Sequence, residues 1–157
     1  DIYIGLDYPP SETYVDGYNH ICAYLSGDFP EFASFNVIKR EVNVGSISNF
    51  ALLRNYVLNR YDRFIRTDDD AEFSPNFLEY MNKCLDLYEN DENVIAVSGY
   101  SYPINWRVSK GATVLRQNFI APMWGTGFWR SKYSNVIFDK YMYNEYNKIV
   151  FRLCIIK

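Results

Sequence analysis

The feature that most constrains this chain is the alternation of short β-forming segments with longer segments that carry a helical pattern of apolar residues. The predicted strands cover residues 2–6, 35–40, 63–67 and 94–98, with a further strand over 112–119. Strands that alternate with helices are joined by right-handed crossovers and build an open sheet. The pattern therefore predicts an α/β fold with a mostly parallel sheet and helices on both of its faces.

Three helices are predicted from apolar residues that recur at helical spacing. The buried stripes are Val15, Tyr18, Cys22 and Leu25 in the first helix, Phe50, Leu53 and Val57 in the second, and Phe77, Met81, Cys84, Leu85 and Tyr88 in the third. For the third helix we expect Ser74 as the N-cap and Pro75 in the first turn. A glycine-rich turn is expected at residues 125–127.

Length and composition restrict the classes of protein to which this chain can belong. Its 157 residues fit a single domain, and its net charge of -3, with both signs interspersed, offers no basic stripe for nucleic acid. No apolar run reaches the roughly 18 residues that a membrane-spanning helix needs. The three cysteines lie far apart, without the close pairing of a zinc site or a disulfide framework. We therefore expect no nucleic-acid partner, no membrane span and a reducing, cytoplasmic location, with attachment at the membrane surface left open.

Polar residues follow the predicted strands, near the points where those strands end. They are Asp7, Asn43 with Gly45, Asp68–Asp70, and Ser98 with Gly99. In open α/β sheets, ligands bind outside the carboxyl ends of the strands. We therefore expect these residues, Asp7 included, to lie on one rim of the sheet and to form a substrate site.

Three consecutive carboxylates, Asp68, Asp69 and Asp70, are the most informative part of this rim. Like charges at the end of a buried strand repel one another, so a cation or solvent must offset the repulsion. Carboxylates without His or Cys suit Mg²⁺ or Mn²⁺, which keep several waters and accept phosphate oxygens. An EF-hand is excluded because the segment from Asp68 to Phe73 lacks the alternate ligand spacing and the glycine of that loop. A solvated turn before a helix remains the alternative to a metal site.

Four segments of the chain, taken together, carry a family resemblance. They are Asn43-Val44-Gly45, Arg54-Asn55, the run from Tyr61 to Asp70, and the run from Ser74 to Met81. In this order they resemble bacterial family 2 glycosyltransferases of the GT-A fold, of the kind found in polysaccharide assembly. The aspartates, the short spacer and the Pro-x-Phe sequence are also similar to a segment of N-acetylglucosaminyltransferase I. The likeness covers most of residues 1–133 and is densest from Lys39 to Met81.

The resemblance implies a sugar-transfer site that uses Mn²⁺ or Mg²⁺. In such a site Asp70 would ligate the metal, while Asp68 and Asp69 would face the ribose, the sugar or the waters of the metal. The nucleotide side would be lined by Asn43, Gly45 and Arg54. The implied partners are a nucleotide-sugar donor, with uridine diphosphate as the expected nucleotide, and a saccharide acceptor.

A glycine-aromatic segment from Trp124 to Arg130 is similar to a later segment of the same family. By this resemblance Trp124, Gly125 and Gly127 would approach the donor sugar and the acceptor. A packing turn is an equal alternative for this segment. No choice between the two follows from the sequence.

A general base completes the expected site. An inverting transfer needs a carboxylate to remove the proton of the acceptor hydroxyl. Asp139 is the candidate by its order along the chain, with a solvated aspartate at a helix end as the alternative. His20 is expected on the polar side of the first helix, as a surface residue.

Members of the family begin with one more strand before Ile2 and continue beyond residues 148–157. We therefore expect one glycosyltransferase domain over residues 1–157, truncated at the N-terminus, with truncation at the C-terminus left open. The alternative function is a non-catalytic module that binds a nucleotide sugar or another protein. A phosphotransferase or a dinucleotide oxidoreductase is disfavoured because the chain has no Walker lysine and no Gly-x-Gly-x-x-Gly after a strand. The sequence predicts no particular oligomeric state.

Overall fold

A computed structural model describes residues 1–100, 110–112, 114–115 and 124–133 of the chain. The chain divides into two compact units, Asp1–Tyr61 and Asp62–Lys157. Each unit combines helices with a small sheet. The predicted α/β class is therefore confirmed, while the GT-A arrangement of the whole chain stays a prediction.

The first unit is built around a pair of parallel strands. Its elements are β1 (Ile2–Leu6), a 3-10 helix (Glu12–Tyr14), α1 (Val15–Leu25), β2 (Phe35–Lys39) and α2 (Ser46–Leu58). Ile2 pairs with Phe35 at one end of the sheet, and Leu6 pairs with Lys39 at the other. Strands that run in the same direction need a crossover connection, which α1 supplies. The predicted strands of this unit are confirmed, with β2 ending just before Arg40.

A glycine and an amide hold α2 against β1. A Cβ added at Gly5 would lie 3.1 Å from Asn49 Oδ1 and 3.2 Å from Leu53 Cδ2, so the helix approaches the strand where the strand has no side chain. Asn49 Nδ2 donates to the Gly5 carbonyl oxygen (2.7 Å), and Arg40 Nε donates to Asn49 Oδ1 (2.8 Å). Both ends of the Asn49 amide are therefore paired, as buried polar groups require. These bonds connect β1, α2 and the residue after β2.

The second unit is built around three strands. Its elements are β3 (Arg63–Arg66), α3 (Phe77–Leu87), β4 (Ala96–Ser98), β5 (Thr126–Trp129) and α4 (Arg130–Tyr133). β5 lies between β3 and β4 and is antiparallel to both, with Phe128 opposite Phe64 on one side and Ala96 on the other. The predicted mostly parallel sheet is therefore not found in this unit. A late segment of the chain inserts between two strands that run in the same direction, and an alternation of strand and helix patterns does not reveal such an insertion.

Two local predictions for the second unit are wrong. The turn expected at residues 125–127 reaches only as far as Gly125, because Thr126 and Gly127 belong to β5, where Phe128 and Trp129 also favour a strand. The predicted start of α3 is also wrong: Asn76 is the N-cap and Pro75 precedes the helix, while the Ser74 hydroxyl donates to Asn76 Oδ1 (2.8 Å).

Other boundaries in the second unit also differ from those predicted. β3 ends at Arg66 rather than at Thr67, and β4 begins at Ala96 rather than at Val94. Of the strand predicted over residues 112–119, the described residues 112 and 114–115 lie outside any strand, and the others fall outside the described residues.

The core of the second unit is formed by one face of α3 against the sheet. Met81 and Leu85 are 0% and 1% exposed, and they pack with Cys84, Val97 and Trp129. The Trp129 Nε1–H donates to the Leu85 carbonyl oxygen (3.1 Å), so the indole is buried with its polar group paired. The helical stripe predicted for this helix is confirmed. This packing fixes β5 beneath α3.

Two expectations from the sequence concern the cysteines and the presence of a membrane-spanning helix. Cys22 and Cys84 are free thiols, and Cys84 lies in the core. Across the described residues, no helix has both the length and the apolar character needed to cross a bilayer.

Candidate functional site

Asp7, the first residue after β1, is held by the loop that follows β2. Its Oδ1 accepts from the Val44 N–H and the Tyr8 N–H, both at 3.0 Å. Its Oδ2 accepts from the Gly45 N–H at 2.8 Å. The Asn43 side-chain amide reaches the same oxygen at 3.4 Å and donates to the Tyr8 carbonyl oxygen at 2.6 Å. The structure therefore brings Asp7, Asn43 and Gly45 together, and Asp7 clamps the loop.

Gly45 gives this loop its shape at the start of α2. Its backbone has φ 79° and ψ 156°, a region that side-chain-bearing residues rarely adopt, and an added Cβ would meet nothing within 4 Å. The Gly45 carbonyl oxygen accepts from the Asn49 N–H (2.9 Å), which begins the helical bonding. Because the first N–H groups of a helix lack helical partners, the carboxylate of Asp7, which follows β1, acts as a cap by accepting from the Gly45 N–H at the start of α2.

Arg54, predicted to line the nucleotide side, lies on α2 and is half-buried. Its Nε and Nη2 both donate to Asn55 Oδ1, at 3.2 and 2.9 Å. The guanidinium carbon lies 5.7 Å from the centroid of the Phe50 ring. These neighbours orient the guanidinium along the helix surface, and contact with a nucleotide stays a prediction.

β3 leads directly into a turn formed by the three predicted aspartates. The Ala71 N–H donates to the Asp68 carbonyl oxygen (3.4 Å), which closes a turn with Asp69 and Asp70 at its centre. Asp68 is half-buried, and its Oδ1 pairs with Arg66 Nη2 at 3.2 Å. Asp69 and Asp70 are exposed and form no hydrogen bond or ion pair with the described part of the chain. The residues Asp68–Ala71 are called the acidic turn below.

The acidic turn fits a hydrated hard cation. No group of three or more His, Cys, Asp or Glu side chains within the described residues is arranged to hold a metal ion. Mg²⁺ sites that bind phosphates do not need such a group, because one or two carboxylates suffice and water and phosphate oxygens complete the shell. Asp69 and Asp70 present carboxylates to solvent in this way. The donor set therefore suits Mg²⁺ or Mn²⁺, while the binding of either ion or of a diphosphate stays a prediction.

Gly125 and Gly99 pack against two phenylalanines that follow the acidic turn. The Gly99 N–H donates to the Gly125 carbonyl oxygen (2.8 Å), which joins the end of β4 to the start of β5. A Cβ at Gly99 would lie 2.4 Å from Phe77 Cε2, and one at Gly125 would lie 2.9 Å from both Phe73 Cε1 and Phe77 Cε2. The two phenylalanine rings stack with centroids 4.1 Å apart. Backbone and rings therefore meet at a spacing that only glycine permits at these two positions.

Trp124 and Gly127, the other predicted residues of the glycine-aromatic segment, have different surroundings. Gly127 is buried in β5, where a Cβ would lie 3.0 Å from Met81 Cε and 3.1 Å from Leu85 Cδ1. Trp124 is 47% exposed, and its ring and that of Tyr100 are arranged edge to face with centroids 5.1 Å apart. Gly127 thus has a packing role beneath α3, whereas Trp124 offers an aromatic surface. Contact of either residue with a sugar stays a prediction.

A groove of about 370 Å³ lies beside α3. It is lined by Asn76, Glu79, Tyr80, Lys83, Cys84, Leu87 and Val114. Burial raises the pKa of Tyr80 to about 12, and the neighbouring Cys84 contributes in the same direction. The Tyr80 hydroxyl donates to the Ser98 carbonyl oxygen at 3.5 Å. The raised pKa keeps the phenol of Tyr80 protonated at neutral pH.

The remaining predicted residues divide into one that the structure describes and one that it does not. His20 is exposed on α1, as predicted. Asp139, the candidate general base, lies outside the described residues. The expectation that the polar clusters of both units share one rim also stays a prediction.

Two features of the candidate site were missed at the level of sequence. Arg66 pairs with the first aspartate of the acidic turn, and the Arg-x-Asp spacing at the end of a strand is a signal that could have indicated this pair. The second feature is the packing of phenylalanine rings on the backbone, by Phe77 at Gly99 and by both Phe73 and Phe77 at Gly125. No local signal indicates that second feature, because it joins segments distant in sequence.

Comparisons with known proteins do not identify a relative. No protein-family model, no curated protein and no solved structure matches the chain. Function is therefore inferred from the residues and the geometry of the chain itself.

Proposed function

We propose that this chain is a glycosyltransferase domain that moves a sugar from a nucleotide diphosphate donor to a saccharide acceptor. The observation that carries the proposal is the passage from β3 into the acidic turn, where Asp69 and Asp70 are exposed. This turn coincides with the segment whose sequence resembles family 2 glycosyltransferases. Exposed carboxylates next to one paired carboxylate also match the needs of a diphosphate bound through a divalent cation.

The chain's own residues have distinct tasks in this proposal. Asp70 binds the cation, and Asp69 faces the sugar, the ribose or the waters of the cation. Arg66 holds Asp68 at 3.2 Å and offsets one of the three adjacent negative charges. A divalent metal, when bound, supplies Lewis-acid stabilisation of the charge that develops on the departing diphosphate. Mn²⁺ and Mg²⁺ are the expected ions.

The proposed reaction is a single displacement at the anomeric carbon. The acceptor hydroxyl oxygen forms a bond to this carbon while the bond between the carbon and the diphosphate oxygen breaks. The hydroxyl proton passes to a carboxylate, for which Asp139 is the candidate, and the nucleoside diphosphate leaves with the bonding electron pair. Trp124 supplies an exposed ring on which a sugar can stack. Uridine diphosphate is the expected nucleotide, and Asn43, Gly45 and Arg54 are its expected neighbours.

The proposal is tested by metal-dependent turnover of the donor. The protein is incubated with a panel of uridine diphosphate sugars and Mn²⁺, with and without oligosaccharide acceptors, and released uridine diphosphate is measured. We expect release that requires Mn²⁺ and that falls to background in Asp70→Asn, a change that removes the charge and keeps the shape. Glu92→Gln is the matched control, because Glu92 is an exposed carboxylate in the same unit.

The non-catalytic alternative makes a different prediction in the same experiment. It expects Mn²⁺-dependent binding of the nucleotide sugar without release of uridine diphosphate. Release that persists without a divalent ion, or that is equal in Asp70→Asn and wild type, would contradict the role of the acidic turn.

A further inference from the structure

The Lys132 side chain ends in a cage of backbone carbonyl groups. Its Nζ donates to the carbonyl oxygens of Tyr88 (2.7 Å), Asp91 (2.9 Å) and Val94 (2.9 Å). The same nitrogen lies 3.9 Å from the centroid of the Trp129 ring. An ammonium group has three N–H donors, so the three carbonyl groups match its donor capacity. The aromatic face adds a cation–π contact.

The three carbonyl groups belong to the connection between α3 and β4. The last carbonyl groups of a helix lack helical partners, and Tyr88 immediately follows α3 at Leu87. Lys132 lies in α4, directly after β5. The ammonium group of Lys132 therefore links the α3–β4 connection to the segment that follows β5. Lys132 lies more than 35 residues after each of the three carbonyl groups.

We propose that the carbonyl oxygens of Tyr88, Asp91 and Val94 and the face of Trp129 form a binding cage for a primary ammonium group. In the native chain Lys132 fills this cage and so locks the α3–β4 connection to β5. The proposal concerns the integrity of the second unit and does not depend on the proposed glycosyltransferase function.

The environment of Lys132 differs from that of a surface lysine. Desolvation lowers the pKa of Lys132, while the carboxylates of Asp91 and Glu89 oppose this shift. Removal from water is therefore a cost that the carbonyl groups and the ring offset. Lys83, by contrast, has a side chain that is 73% exposed and pairs with Glu79 at 2.5 Å along the surface of α3. Such exposed pairs contribute little to stability.

Truncation and chemical replacement test the cage directly. Lys132→Ala removes the ammonium group and three methylene groups, and n-propylammonium supplies the same atoms from solution. We expect Lys132→Ala to lower the thermal midpoint by about 4 °C or more, because three charge-assisted bonds are lost. Added n-propylammonium chloride should restore part of this loss, in proportion to the logarithm of its concentration. Tetramethylammonium chloride at the same concentration, which carries charge without N–H donors, should not.

Two further variants separate charge from packing. Lys132→Met keeps an unbranched side chain but no cation, so it should lose stability as Lys132→Ala does and should not respond to n-propylammonium. Lys83→Met is the matched control and should change the midpoint by about 2 °C or less, without rescue. The cage is rejected if Lys132→Met retains the wild-type midpoint, or if both ammonium salts act equally on Lys132→Ala.

A measurement on the wild-type protein keeps the proposal testable should Lys132→Ala fail to fold. In protein labelled with ¹⁵N at lysine, the Nζ protons of Lys132 should exchange with water more slowly than those of Lys83. Equal exchange rates at the two ammonium groups would overturn the cage, because three carbonyl acceptors at 2.7 to 2.9 Å must retard exchange.

Discussion

Aspartates follow β1 in the first unit and β3 in the second, yet their carboxylates have opposite surroundings. Asp7 accepts three backbone N–H groups at 2.8 to 3.0 Å and clamps the loop that begins α2. Asp69 and Asp70 are exposed in the acidic turn and form no hydrogen bond or ion pair with the described residues. The contrast teaches that an acidic residue at the end of a strand either accepts hydrogen bonds from the backbone or stays exposed to solvent, according to whether a loop folds back onto it.

The glycines of the two regions provide the largest expected effects on stability. Gly125→Ala should lower the free energy of unfolding by about 2–5 kcal/mol, because its φ of 64° disfavours a side chain and the new Cβ would also overlap Phe73 and Phe77.

Two variants each have one of these causes. Gly45→Ala has an unfavourable φ but open space and should cost about 1–3 kcal/mol. Gly99→Ala has the close contact without a positive φ and should cost about 1–3 kcal/mol.

Urea unfolding of these three variants measures each free energy. If Gly125→Ala proves no more harmful than Gly45→Ala, which has only the unfavourable φ, the close approach of the two phenylalanine rings to this backbone is not a constraint in solution.

Exchange of a carboxylate for an amide sharpens the comparison between the two regions. Asp7→Asn should cost about 1–3 kcal/mol, since an amide nitrogen would then face a backbone N–H that needs an acceptor. Asp69→Asn should change the free energy of unfolding by about 0.5 kcal/mol or less, as is usual at exposed positions. Chemical denaturation of both variants provides the measurement. Equal losses of unfolding free energy in the two variants would contradict the distinction between Asp7, which clamps a loop, and Asp69, which is exposed.

A small effect is also expected for the pair of Arg66 and Asp68. Arg66→Gln should cost about 0.2–1 kcal/mol, because the pair with Asp68 is only half-buried. The same change should strengthen Mn²⁺ binding slightly, since it removes a positive charge near the acidic turn. Calorimetric titration with Mn²⁺ checks the second expectation. A large loss of Mn²⁺ affinity would instead indicate that Arg66 holds the acidic turn in its binding conformation.

The parts of the structure that the sequence predicted well are those determined by local pattern. The buried stripe of α3 and the limits of β1 follow from the spacing of apolar residues, which involves only residues close together in sequence. The antiparallel insertion of β5 was missed because strand pairing depends on partners far away in sequence. The same limit applies to the site, where the acidic turn was predicted from a run of neighbouring residues and from the family resemblance of the segments around it. The clamp at Asp7 was not, because its donors come from a loop more than 35 residues later.

The most direct test of the proposed site is thermal unfolding of the wild-type protein with uridine diphosphate, in the presence and absence of Mn²⁺. At ligand near a hundredfold the dissociation constant, specific binding adds about 2.7 kcal/mol and raises the midpoint by several degrees. We expect this rise only when both Mn²⁺ and the nucleotide are present, and we expect it to vanish in Asp70→Asn. No rise in the wild-type protein, or an equal rise in Asp70→Asn, would contradict a diphosphate site at the acidic turn.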